Sequence, residues 1–248
     1  MKQFLNKLFG KKDSPVGNEQ RYDNTRECYS PQSNHIQNAD KALEDRRPIA
    51  TQNTTEIIAS GSCGSNVKWV FYKNGELVIT GNGTMNDYLA NTYDDGKKVA
   101  PWYPYCANIH SITIESGISH IGDWSFAYCR NLEKVVFNGR LDKIPWGSFA
   151  FAEKLKSIAI PNGVTRISPD AFTDCHQLSR VSLPNGVTEI GESAFYNCYA
   201  LSEINLPNTL TDIDSYAFAF CGQLTHLRIP RSVTYIHEKA FFKSGIRR

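Results

Sequence analysis

The amino-acid sequence predicts a solenoid of 23-residue coils, with short parallel β-strands along one side, short helical or irregular segments along the convex side, and a capping β-hairpin before the first coil. Three observations predict it. Phe126, Phe149, Phe172, Phe195, Phe218 and Phe241 recur every 23 residues, and Ile121, Ile144, Ile167, Ile190, Ile213 and Ile236 keep the same interval. Three further columns in that phase are wholly apolar, beginning at Ile112, Ile114 and Ile118; at 41% apolar content, one such column of six would arise by chance about 0.5% of the time. Before the first coil, Val67–Tyr72 and Glu76–Thr80 are β-prone runs joined through Asn74-Gly75, a strong hairpin signal.

Residues 1–60 read as an arm. Met1 to Lys12 carries Lys2, Lys7, Lys11 and Lys12 with no acid, and Phe4, Leu5, Leu8 and Phe9 fall on one helical face, a pattern suited to an anionic membrane surface. The apolar core and small-residue cleavage site of a signal peptide are missing from this start, so the expected location is cytoplasmic, peripheral to a membrane. Residues 13–60 are rich in Asn and Gln and poor in aromatics, so they bury too little apolar surface to offset the entropy of ordering; a short helix around Ile36, Ala39 and Leu43, stopped by Pro48, is the one element expected there. Residues 61–103 follow as the cap and residues 104–248 as the solenoid. A cap is needed because the first coil would otherwise expose apolar core and unpaired backbone groups.

Within one coil, Val181 and Leu183 stand two apart, which gives a short strand with one inward face, and Pro184 ends it by fixing φ and removing a donor. Asn185-Gly186 then turns the chain. In the preceding coil, Ser168 and Pro169 stand where an N-cap and first helical residue would, so a helical turn is expected to carry Phe172 and Cys175 inward. No single coil can bury its own apolar edge, so neighbours must stack at about 4.8 Å around one core.

The unit's Cys-x-x-Leu, Leu-Pro-Asn-Gly-Val and Ile-Gly-x-x-Ala-Phe elements, as in Leu183–Val187 and Ile190–Phe195, resemble the leucine-rich-repeat subfamily of BspA-like surface proteins and Treponema repeat proteins. Gly61–Tyr103, with Cys63-Gly64, Leu77–Met85 and Pro101-Trp102-Tyr103, is similar to the part that often precedes such repeats. The resemblance covers about three quarters of the chain and implies a leucine-rich-repeat solenoid, with adhesion or host interaction as one version of its function. Departures are Asn138-Gly139-Arg140 for Pro-Asn-Gly, Ala152 for Cys, and Thr209 and Ser232 for the turn Gly.

Chemistry-bearing residues point to binding rather than catalysis. Formal charge is only +2, so no basic field argues for nucleic acid, and no run of about 20 apolar residues spans a membrane. Five of seven cysteines (Cys106, Cys129, Cys175, Cys198, Cys221) share one column and read as buried fillers; their 23-residue spacing lacks the close pairs of zinc sites. Cys28 and Cys63 lie outside that column, free or paired. Cys175-His176 and Cys221 with His226 give no accessible thiolate beside a base, and Asp94-Asp95-Gly96 lacks the ligands of a calcium loop. No metal or cofactor is expected.

The candidate partner-binding face is the set of outward strand positions Thr113, Val136, Ala159, Ser182, Asn205 and Arg228, flanked by Ser111, Lys134, Ser157, Arg180, Glu203 and His226. The expected function is a non-enzymatic protein-binding module, as an intracellular scaffold or adaptor. A cell-surface adhesin is the alternative, and an enzyme built on the Tyr88–Tyr103 loop the more distant one.

Overall fold

A computed structural model of the chain describes residues 56–89 and 99–246. Its strands are β1 (Ile57–Gly64), β2 (Val67–Tyr72), β3 (Glu76–Gly81), β4 (Gly83–Thr84), β5 (Ser111–Ile114), β6 (Ile118–His120), β7 (Lys134–Phe137), β8 (Lys143–Ile144), β9 (Ser157–Ala159), β10 (Arg166–Ile167), β11 (Arg180–Ser182), β12 (Glu189–Ile190), β13 (Glu203–Ile204), β14 (Asp212–Ile213) and β15 (Tyr235–Ile236). They form a parallel β-solenoid. The first face runs β1-β2-β3-β5-β7 and resumes as β9-β11-β13; a lateral face runs β8-β10-β12-β14-β15. Pairings such as Arg180↔Ser157 and Arg166↔Glu189 join residues 23 apart, so each sequence column becomes a ladder in space.

The cap is more than a hairpin. β1 adds an antiparallel strand outside β2, β2 pairs antiparallel with β3, and β3 pairs parallel with β5 of the first coil. The first strand begins at Ile57, upstream of the expected start of the cap at residue 61. The β2–β3 connection is not the two-residue type I′ turn that Asn-Gly favours: it spans Lys73–Gly75, and only Gly75 takes positive φ (83°). Asn74 instead accepts the Glu76 N–H through Oδ1 at 3.0 Å, so a third loop residue is accommodated with Gly as the left-handed one.

Trp102 starts the core ladder. Its indole stacks on Phe126 at 5.5 Å, and the stack continues through Phe149, Phe172, Phe195, Phe218 and Phe241 at 5.3–5.5 Å. In each coil but the last the Phe N–H donates to a carbonyl of the next coil, as Phe126 N to Ser148 O and Phe149 N to Ala171 O. The first carbonyl of that column, Ser125 O, has no preceding coil and accepts from Trp102 Nε1 at 2.8 Å. One indole thus supplies both the ring and the donor of the missing coil. Trp102→Phe keeps the ring and loses the donor, and is expected to cost about 1–3 kcal/mol in urea unfolding; an unchanged midpoint would reject this role.

The convex arc contains no helical turn, contrary to the reading of Ser168-Pro169. Alternate amides leave the coil: Asp170, Phe172 and Asp174 donate to Glu192, Ala194 and Tyr196 of the next one, while Ala171, Thr173 and Cys175 close turns onto Ser168, Asp170 and Phe172. An α-helix would need those donors for its own i−4 carbonyls. Two left-handed residues on the arc of every coil but the last, such as Asp170 (φ 53°) and Asp174 (φ 58°), complete the winding. Phe172 and Cys175 still point inward and are fully buried. The sole 3-10 helix among the described residues, Tyr103–Asn108, lies at the junction of cap and solenoid.

Candidate partner-binding surface

Alternation separates the two sides of the strand face in every coil but that of β7, where Val135, Val136 and Phe137 are all half-buried. Ile112, Ile158, Val181 and Ile204 are buried, while Lys134, Ser157, Ala159, Arg180, Ser182, Glu203 and Asn205 are exposed and Ser111, Thr113 and Val136 half-buried. Thr113 Oγ1 donates to Glu76 Oε1 of the cap at 2.9 Å. Arg180 forks onto Glu203 of the next coil through Nε and Nη2 at 2.7 and 3.0 Å. That hydrogen bonding, and then the opposite charge, holds the Glu203 carboxyl below its usual range and the Arg180 guanidinium above its own.

His226 and Arg228 are exposed but do not lie on a strand. Ser179 and Ser202 each donate N–H to the preceding coil, at Lys156 and Ser179, whereas Thr225 N–H turns onto Gln223 O at 2.9 Å. The strand face therefore ends at β13, and these two residues extend it as an irregular edge. Phe4, Leu5, Leu8 and Phe9, the Ile36–Leu43 segment and Asp94-Asp95-Gly96 lie outside the described residues.

The large aromatic side chains sit elsewhere, on the convex arc and its corners. Trp146, 48% exposed, donates Nε1 to Asp170 Oδ2 at 3.0 Å and packs beside Trp124 at 6.1 Å. Tyr128 stacks on Phe151 at 4.8 Å. Near the last coils, Lys243 lies over Phe220 and Phe242, and Lys239 over Tyr216. At the corner where the arc turns into the strand face, Tyr199 stacks on His176 at 5.1 Å; Asp174 Oδ1 sits 3.3 Å from His176 Nε2 and accepts Asn197 Nδ2 at 2.7 Å. Burial, and then the Asp174 charge, raises the Tyr199 phenol above its usual range.

Sequence reading missed this aromatic arc because its columns are mixed. The column of Tyr128 and Phe151 continues as Asp174, Asn197, Phe220 and Lys243. Only the wholly apolar columns announce themselves. Aligning the mixed columns on the 23-residue register would have revealed it.

The cysteines behave as core. Cys175, Cys198 and Cys221 are fully buried, and their Sγ atoms donate to Phe149, Phe172 and Phe195 carbonyls at 3.1–3.2 Å. Cys63 is unpaired and buried, which settles one of the two cysteines left open. Among the described residues no three His, Cys, Asp or Glu side chains are grouped to hold a metal, and no helix is long and apolar enough to cross a membrane.

Parallel coils, an apolar strand column and a Phe ladder define a leucine-rich-repeat solenoid. The family model described as the BspA type leucine rich repeat region matches six copies over residues 102–202 and 142–248, more than half of the chain. The chain belongs to that family, and membership in it supports a protein-binding module. Among solved structures, a T. pallidum leucine-rich repeat protein is similar at 23% identity and a TM-score of 0.50, covering 71% of this chain and 86% of that one. A leucine-rich repeat protein from Bacteroides ovatus shares 25% identity at a TM-score of 0.49, covering 74% and 57%. The likeness to the first is one of fold. No curated protein matches the sequence.

Proposed function

We propose that the chain is a non-enzymatic scaffold or adaptor that binds a protein through the strand face of its coils. The observation that carries this reading is the ordered exposure of Ser157, Ala159, Arg180, Ser182, Glu203 and Asn205 in register over successive coils. Small side chains between charged ones leave a shallow surface that a partner can cover without large rearrangement. The Arg180–Glu203 pair presents one charge of each sign at a fixed position.

Photo-crosslinking from this face tests it. A benzophenone side chain at Ser182 is expected to give a discrete protein adduct in source cells, and one at Thr188, on the lateral side, is not. Ala159→Arg is expected to cut the Ser182 adduct about ten-fold, equivalent to about 1.4 kcal/mol. Equal adducts from both positions, or none, would sink the reading.

The proposed site of action is the cytoplasmic face of a membrane, supported by the basic amphipathic pattern of residues 1–12. Protease treatment of intact cells checks this. Protected repeats that leave the membrane fraction when residues 1–12 are deleted fit the proposal, whereas digestion of the repeats would place an adhesin at the cell surface.

A further inference from the structure

The column containing Tyr199 is unfinished. Its first four members pair off, Arg130 with Glu153 as an ion pair and His176 with Tyr199 as a stack at 5.1 Å and 21°. The next two are Gly222 and Gly245. A Cβ placed on Gly222 meets nothing within 4 Å, and Tyr199 is 48% exposed. His176 covers one face of the Tyr199 ring, so the face toward Gly222 is the open one.

We propose that this empty rung receives an aromatic side chain of the protein partner, a hypothesis that rests on the protein-binding reading above. The height fits, because rings on successive coils of this solenoid stack at 5.3–5.5 Å. One ring on Tyr199 would continue the column as Phe218 continues Phe195 in the core. The chemistry fits an aromatic ring, because the backbone donors bordering the open face are in use and the ring face itself is what is offered. Gly222 N–H goes to Phe220 O and Gly245 N–H to Cys221 O, both at 2.9 Å, and Asn197 Nδ2 goes to Asp174. An aromatic face stacked on Tyr199 needs no hydrogen-bond partner. Position also fits: Tyr199 precedes Glu203 of the strand face by four residues, so a partner seated on that face has the rung at its edge.

The glycine at 222 makes the rung testable by filling it. Its φ lies outside the left-handed region and its Cβ direction is open, so Gly222→Tyr introduces a ring without backbone strain. The probe is N-acetyl-4-fluorophenylalaninamide, followed by fluorine NMR on the full chain. Saturable binding is expected, weakened about ten-fold or more in both Gly222→Tyr and Tyr199→Ala and unchanged in Trp146→Ala. Competition by N-acetyltyrosinamide, with none from methyl β-glucopyranoside, is expected as well. Absence of saturable binding to the wild type, binding unaffected by both variants, or displacement by the glucoside alone would overturn the assignment. Tyr199→Ala removes an exposed ring, so it keeps the test alive if Gly222→Tyr misfolds. A Ser182 adduct that persists in Gly222→Tyr would remove this anchor and leave the protein-binding reading standing. Probe binding without any Ser182 adduct would do the reverse.

Discussion

Phe195→Ala is expected to lower the free energy of unfolding by about 3–5 kcal/mol, read as a fall in the urea midpoint at unchanged slope. Phe195 has no exposed surface and is stacked at 5.3 Å between Phe172 and Phe218, nearly parallel to both at 6° and 9°. Deleting the ring removes its own transfer energy and leaves a cavity that both neighbours line. The rings cannot slide together to fill it, because Phe172 N–H is tied to Ala194 O and Phe195 N–H to Ala217 O. Phe241→Ala should cost less. That ring has a stacking neighbour on one side, Phe218, and is 6% exposed. Equal losses at the two positions would argue that burial alone matters and that the ladder contributes nothing as a ladder.

The same ladder explains how much of the architecture could be read in advance. A solenoid repeats its environment, so a position that is buried once is buried in every coil. Columns such as Phe126–Phe241 and Ile121–Ile236 therefore carry the fold in the sequence, and the wholly buried Phe126, Phe149, Phe172, Phe195 and Phe218 answer to them directly. Inward and outward strand positions follow from alternation as far as β13, whereas His226 and Arg228 fall beyond the last strand of that face. The arc was harder because its backbone is held by bonds between coils. Ser168-Pro169 signals a helix start only if the following amides bond within their own segment, and here Asp170, Phe172 and Asp174 donate to the next coil. The role of Trp102 was hidden for a similar reason. It stands one residue before the Phe column, and it takes a rung's place through a side chain rather than through the backbone.

Surface chemistry was the least legible part. Outward positions carry no periodic constraint, so Trp146, Tyr199 and Phe242 each occur once in their columns and leave no repeat to detect. The two glycines after Tyr199 are informative only once the coils are superimposed. Read singly, Gly222 and Gly245 are turn residues. Read in register, Gly222 is a missing side chain beside an exposed ring, and Gly245 is a glycine because a Cβ there would run into the Gly222 carbonyl.

The second large effect concerns pH. Cys175, Cys198 and Cys221 are buried as neutral thiols that donate to the carbonyls of Phe149, Phe172 and Phe195. Burial pushes the Cys221 thiol from 9.0 up to about 12 and raises Cys175 and Cys198 well above 9.0. An ionised thiol would have lost its donor and would face a carbonyl oxygen without water. Well below pH 9 the thiols are protonated in both states, and their contribution is flat. Above it the unfolded chain releases three protons that the folded chain retains, so stability falls as pH rises toward the folded values. Each thiol contributes a loss of about 1.4 kcal/mol per pH unit in that window, so the three together are expected to cost about 4 kcal/mol per unit between roughly pH 10 and 11, and less as the folded Cys221 begins to ionise. Ala152 already occupies this column in the second coil and is fully buried, so alanine fits the position. The triple variant Cys175→Ala, Cys198→Ala, Cys221→Ala should be less stable than the wild type at pH 7, having lost three buried sulfurs. It should lose stability more slowly with alkali, so that the two curves converge or cross above pH 10. Parallel curves from pH 8 to 12 would show that these thiols ionise with equal ease folded and unfolded, and would refute their burial as neutral donors.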